Sequence, residues 1–423
     1  MTAVPTSPEK SKAASGPMFL VILAGLGMVG PFSIDTIFPA FTQLNSEWGV
    51  GEFALQQLIS VYLLSFAVMS LLHGPLSDAL GRKPVIIAGT AIFIGASIGC
   101  ALSPTFGLLL FFRALQGVSA GAGQIISRAI VRDVYENEQA QRTMSHIAMI
   151  FGLAPALAPI VGGLVLGLAN WRGIFWFLTG FGVLLLALVV FVLPETHPAE
   201  LRSPFNGRSL TSGLLTVWRD ANGRRLAFAA TFNFAGMFLY ISSAPLLVVN
   251  LLGMGEQDFW ILFVPLISGM VVGSWVSGRL AGRMSGRRLA SLGYVISVVA
   301  GVVNLALALF PATQQLPWPI IALPAYTFGI ALAFPILTLA MLDLFPQARG
   351  AASSVQSFVS LVANALIAGA LAPAVAFSLP SLAATALGLT VIGWLLWRRH
   401  LSRTHADPHA TEDAPAYEPT DEM

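Results

Sequence analysis

The sequence predicts an all-α membrane protein with twelve transmembrane helices, arranged as two six-helix halves around a central cavity. Three observations predict it. Hydrophobic residues make up 56% of the 423 and charged residues only 10%, whereas a soluble domain carries about 25% charged residues. A chain this apolar cannot cover its own surface in water, so lipid must solvate most of it. Second, apolar runs of about 20 residues recur along the chain, each long enough to cross a hydrocarbon core of about 30 Å. Third, the basic residues alternate between the two sides that those runs define.

The runs fall at 18–43, 54–73, 84–103, 106–130, 143–168, 172–194, 226–251, 259–281, 289–311, 318–344, 351–376 and 379–398. The first could suggest a signal peptide, but it is long and many spans follow it, so it is read as a retained helix. Very short turns separate 84–103 from 106–130 and 351–376 from 379–398. With the N-terminus inside, all but two of the 22 lysines and arginines lie in inner segments. The exceptions are Arg172, in an outer segment, and Arg113, inside a span. A missed or invented helix would move alternate clusters to the wrong side, so both termini are expected to be cytoplasmic. Trp48, Trp171, Trp260 and Trp318 fall near outer span ends, where amphipathic rings suit the interface.

The longest internal polar stretch, 195–225, divides the chain into bundles 18–194 and 226–398, flanked by tails 1–17 and 399–423. The second tail is acidic and polar from about Thr404 and is expected to be disordered. The inner loop from Gly74 to Lys83 and the loop from Gly278 to Arg288 are both Gly-rich, basic and tight. They occupy corresponding places in the two halves, which is consistent with a duplicated transporter plan.

Two charges lie deep in spans. Asp35 is about eight residues, or about 12 Å of helix, from the outer end of span one. An intramembrane aspartate costs roughly 2.5–3.5 kcal/mol on insertion scales, so it is expected to face a cavity and to take up and release a proton. The bland alternative is a structural carboxylate hydrogen-bonded to neighbouring helices. Arg113 lies at a similar depth in span four, so a pair with Asp35, direct or through water, is geometrically permitted. It cannot plausibly give up its proton and would tune the carboxylate. Gln116, one turn on, shares its face and is a candidate substrate contact. Span seven offers Phe232, Asn233 and Tyr240 as candidate cavity residues, although such a stripe is more often packing. Asp343, near the inner end of span ten, is read as interfacial. Cys100 is read as a small buried residue. There is no phosphate-binding G-x-x-x-x-G-K-[ST] loop, G-x-S-x-G or His/Cys metal cluster. The residues therefore give no sign of ATP, metal or enzyme chemistry.

Gly74-Pro75-Leu76-Ser77-Asp78-Ala79-Leu80-Gly81-Arg82-Lys83 resembles the loop signature G-x-L-x-D-x-x-G-R-K/R of the major facilitator superfamily, and Arg113-Ala114-Leu115-Gln116-Gly117 resembles its R-x-x-Q-G motif. Ala158-Pro159-Ile160-Val161-Gly162-Gly163 resembles the antiporter motif G-P-x-x-G-G, with alanine for the first glycine and Ala154 where another glycine is expected. Ser33-Ile34-Asp35, Phe38-Pro39-Ala40, Val131-Arg132-Asp133-Val134-Tyr135 and Leu193-Pro194-Glu195-Thr196 resemble the bicyclomycin/chloramphenicol-resistance (Bcr/CflA) branch of drug:proton antiporters.

The resemblance implies the major facilitator fold in a bacterial inner membrane, working as a single chain. It implies export of small drug-like or xenobiotic molecules driven by the proton gradient, with no cofactor and no nucleic-acid partner. It supports a functional role for Arg113, with substrate and proton competing for a site that includes Asp35. It implies that Arg82 pairs with Asp133 beside a gating loop that includes Gly74, Asp78 and Gly81. Asp78 is expected at a helix N-terminus of the other half, holding the inner gate shut. Pro155, Pro159, Gly162 and Gly163 are expected to make span five a bent helix at the interface of the halves. A proton-coupled or facilitative importer of a nutrient is the competing function. A membrane-embedded enzyme or sensor is weaker still, since it would need a catalytic cluster or an attached soluble domain.

Overall fold

The computed structural model describes residues 17–135, 137–202, 206–281 and 283–404. The predicted tails, apart from Pro17 and residues 399–404, lie outside these. Among the described residues there is no strand. The helices of eight residues or more are α1 Pro17–Asp35, α2 Phe41–Trp48, α3 Glu52–Ser70, α4 His73–Leu80, α5 Arg82–Ala101, α6 Phe106–Val134, α7 Asn137–Leu168 and α8 Trp171–Phe191. They continue with α9 Gly207–Arg219, α10 Ala221–Ser242, α11 Trp260–Leu280, α12 Gly286–Leu309, α13 Leu323–Leu344, α14 Arg349–Leu366 and α15 Leu379–Thr404.

Ten helical segments are long and apolar enough to cross a membrane among the described residues. The two other predicted crossings are present as α7 and α10. The 22 residues of α10 reach about 33 Å, but Arg224, Arg225 and Asn233 make it more polar than its neighbours. One end of the molecule collects Trp48, Phe106 and Trp171 in edge contact. The opposite end collects the start of α1 and the end of α6, through Phe19 and Tyr135. Both described chain ends belong to this second end, called the near side here; the first is the far side.

In the first bundle α6 packs on α3 and α5, α5 on α8, and α1 on α7; in the second α13 packs on α11 and α12, and α10 on α15. The bundles meet where α3 lies on α14 and α7 on α11. Among the described residues, the hydrogen bonds that join them sit at the far side. Gln56 Nε2 donates to Ser242 O at 2.9 Å, Gln57 Nε2 to Gly369 O at 2.8 Å, and Asn250 Nδ2 to Glu52 Oε1 at 2.5 Å. Phe38 stacks on Phe263 across the same seam.

Two features depart from uniform rods. Span one breaks after Asp35, and a short 3-10 turn Phe38–Ala40 precedes α2. Pro39 explains the break: it has no N–H for the carbonyl of residue 35, four positions back, and its ring would crowd that carbonyl. Span seven breaks at the corresponding place, where Pro245 follows α10 and a π-turn Leu246–Leu251 continues the chain. Interrupted helices at matching positions of two repeats mark a binding region in transporters. The stretch 195–225 also contains α9, which sets the buried Val217 into the core beneath α14 and leaves Leu215 and Trp218 exposed.

Candidate functional site

Asp35 ends α1 and is 3% exposed. Its position at the break places it between helices of the first bundle, beside the fully buried Arg113 of α6 and Tyr62 of α3. The guanidinium is held by backbone and neutral groups. Nε donates to Leu58 O at 3.1 Å, and Nη1 donates to Ser33 O at 2.9 Å, Ser33 Oγ at 3.1 Å and Gln116 Oε1 at 2.9 Å. The group lies 4.6 Å from the centre of the Tyr62 ring. Gln116 Nε2 passes the chain on to Ser97 Oγ at 2.8 Å.

Of the two forms of pair that the depths of Asp35 and Arg113 permit, direct or through water, the direct one does not form. Each lies within electrostatic reach of the other, yet among the described residues no ion pair or hydrogen bond engages the Asp35 carboxylate. Arg113 Nη2 is likewise buried without an acceptor. Arg113 is instead turned onto Leu58 O, Ser33 and Gln116, and Asp35, two residues beyond Ser33, points to a different face of α1. An acid without a hydrogen-bond partner and an unused donor within electrostatic reach of each other can trade between a proton and an ion pair.

The candidate cavity residues are differently placed. Gln116 is internal to the Arg113 network. Asn233 is fully buried and donates to Ile330 O of α13 at 3.2 Å, with Oδ1 unpartnered. Tyr240 accepts from Asn304 Nδ2 at 2.7 Å inside the second bundle. Phe232 stacks on Phe228 with centroids 6.4 Å apart and lies against Gly393 of α15. Two aromatic pairs span α10 and α13: Tyr240 with Tyr326, edge to face, and Phe234 with Phe334, which the sequence did not single out.

At the near side Arg82 ties α5 to α4 and α6. Nε donates to Asp133 Oδ2 at 2.9 Å and Nη1 to Asp78 Oδ1 at 2.5 Å. Asp78 is therefore engaged within its own bundle, one turn from Arg82, and not at a helix terminus of the other half. Sequence reasoning missed Glu195. Its carboxylate accepts from the backbone N–H of Arg82 at 3.0 Å and Lys83 at 3.2 Å, capping α5 where negative charge is favoured. Thr196 Oγ1 donates to Asp133 Oδ2 at 3.2 Å, so the segment after α8 closes the cluster. Gly74 has open space around it. Gly81 does not: its φ is +99°, and an added Cβ would stand 2.6 Å from both Glu195 Oε2 and Arg202 Nη2. Gly81→Ala is expected to cost about 1–3 kcal/mol from backbone strain alone. A clear drop in melting temperature in detergent, absent for Gly74→Ala, is the check.

In α7, Pro155 and Pro159 lie within the helix. Gly162 faces the break in α1, where a Cβ would stand 2.1 Å from Thr36 O, and Gly163 faces Glu256 and Gln257 of the second bundle. The motif thus touches both the residue after Asp35 and the seam between halves.

Comparison with known proteins bears on the whole arrangement. The family model described as Major Facilitator Superfamily matches residues 22–368. A bicyclomycin resistance protein homolog of Haemophilus influenzae is 27% identical over 356 residues, covering 83% of this chain and 87% of the relative. Multidrug resistance protein D of Escherichia coli is 28% identical over 392 residues, covering 89% and 94%. Among solved structures, that of a D-xylose-proton symporter superposes with a TM-score of 0.71 at 14% identity, over 90% of this chain and 96% of the other.

Proposed function

The chain belongs to the Major Facilitator Superfamily, a family of membrane transporters, and from that premise we propose that it exports small drug-like molecules across a bacterial inner membrane in exchange for protons. The names of the relatives support the cargo class. The observation that carries the coupling is the buried Asp35 carboxylate without a partner, beside an arginine with an unused donor.

The near side is the cytoplasmic side in this reading, because it holds the arginine-rich loops. The far-side bonds between Gln56, Gln57 and the second bundle then seal the periplasmic end, and the molecule rests with that end closed. The units that rock against each other are residues 18–194 and 226–398. When the periplasmic end opens, Asp35 takes a proton and releases cargo. When it closes, the proton leaves as Asp35 swings onto Arg113 Nη2, and new cargo enters. Phe234 and Phe334 line the apolar path between α10 and α13, and the Asp78–Arg82–Asp133 cluster with Gly81 adjusts the cytoplasmic gate.

The test is a drug-susceptibility panel in an efflux-deficient host, with proton release measured in proteoliposomes. Wild type is expected to lower the potency of at least one apolar or cationic drug, and Asp35→Asn to abolish both protection and drug-driven proton release while the protein still reaches the membrane. No protection by wild type rejects export. Unchanged proton release in Asp35→Asn rejects this carboxylate as the coupling group.

A further inference from the structure

Three basic side chains, one from α10 and two from α15, converge at the near side of the second bundle. Arg399 and Arg403 of α15 lie close enough to Arg225 of α10 to act on its charge, and His400 lies within reach of both Arg225 and Arg287 of α12. One carboxylate faces the group, that of Asp220, and it already caps α10 by accepting from Gly223 N–H at 2.7 Å. Among the described residues no ion pair neutralises Arg225, Arg399 or Arg403. Like charges held this close repel, so a counter-anion would stabilise the arrangement.

The same two helices supply an apolar continuation. On α10, Arg225, Phe228 and Phe232 follow one another at helical spacing along one stripe, and on α15 so do Arg403, Arg399, Leu395 and Ile392. Leu395 and Ile392 are exposed, and Phe228 and Phe232 are half-buried. Phe232 rests on Gly393, which joins the two stripes. Trp218 of α9, itself exposed, leans on Phe228 at 6.4 Å, as a tryptophan at headgroup level does. Charge at the near end and aliphatic surface beyond it reproduce the profile of a phospholipid.

We propose that the groove between α10 and α15 binds an anionic phospholipid, its phosphate held by Arg225, Arg399 and Arg403 and one acyl chain laid along Phe228, Phe232 and Leu395. Basic pockets between membrane helices recognise such headgroups. This gives Phe232 a place outside the cargo path.

The experiment uses the purified full chain in mild detergent, titrated with phosphatidylglycerol, with phosphatidylcholine, and with inorganic phosphate, and read by native mass spectrometry and melting temperature. Phosphatidylglycerol is expected to stay bound and to raise the melting temperature, while the other two do neither. Arg399→Gln with Arg403→Gln is expected to weaken phosphatidylglycerol about 25-fold, at about fivefold per arginine. Arg283→Gln with Arg288→Gln, also at the near side, is expected to change it less than twofold. Equal weakening in both pairs would mean a diffuse basic surface, and binding of inorganic phosphate at similar strength would mean a free-anion site; either overturns the proposal, as does unchanged binding in the first pair. The Gln pairs keep the helices polar at their ends, and a folded melting transition in each confirms that lost binding is not lost structure.

Discussion

Replacing Arg113 with methionine is expected to lower stability by about 3–5 kcal/mol and to abolish export. The side chain is fully buried and supplies four hydrogen bonds. Its removal strands Leu58 O, Ser33 O and Gln116 Oε1, and each buried acceptor left unmade costs about 1–3 kcal/mol, partly offset by the apolar replacement. It also removes the one buried cation near Asp35, so the carboxylate loses the group that would hold it ionised. Arg113→Lys separates the two losses. Lysine keeps the charge but cannot present Nε to Leu58 O and Nη1 to Ser33 and Gln116 together. It should melt below wild type and above the methionine variant, and retain residual export with an altered pH profile. The measurements are detergent melting curves and drug-driven proton release at several pH values. A methionine variant with wild-type melting and transport would remove Arg113 from the argument.

The second large effect is expected at Gly162. A Cβ there meets the Thr36 carbonyl at 2.1 Å, and that backbone is pinned because both Thr36 N–H and Thr36 Oγ1 donate to Phe32 O. Even alanine must therefore push α7 away from the turn that carries Asp35. Displacement of a reacting group by about 1 Å can cost on the order of a hundredfold in rate, so Gly162→Ala should nearly silence transport while the protein still inserts. Gly163→Ala is the comparison: its Cβ meets Glu256 O at 3.1 Å, a contact relieved by a few tenths of an ångström. It should alter turnover by a few-fold only. Transport assays at matched expression decide the matter, and equal effects in the two variants would refute the special role of the contact with Thr36.

The twelve crossings were legible because the apolar runs and the basic loops are independent signals that agree. Asp35 and Arg113 were legible as the deep charges of the first bundle. What the residues could not convey was that they stand apart. Arg113 is turned onto the carbonyls of Leu58 and Ser33, 55 and 80 residues away in the chain, contacts that no local pattern announces. Glu195 was visible only as a family string, because the N–H groups it caps lie 113 and 112 residues away. Phe232, Asn233 and Tyr240 were ambiguous for a different reason. From Leu226 on, α10 carries small and aromatic residues all around its axis, so periodicity cannot say which face meets the cavity, which meets α15 and which meets α13.

The matching breaks at Pro39 and Pro245 have an electrical consequence. The first ends at a carboxylate; the second ends at Ser242 and Ser243, which carry no charge. From Leu226 to Leu342, ionisable acids and bases other than tyrosine occur only between or at the ends of helices, with Glu256 and Asp258 on one side and Arg279 to Arg288 on the other. Further on, Asp343 and Arg349 lie at the near end of α13 and the start of α14, Asp343 exposed, so in the proposed exchange the proton is carried by the first bundle. A voltage across the membrane does work of about 2.3 kcal/mol per elementary charge at 100 mV, and in the proposed exchange that work falls on the half that holds Asp35, since the charges of its twin lie at the two ends of its helices.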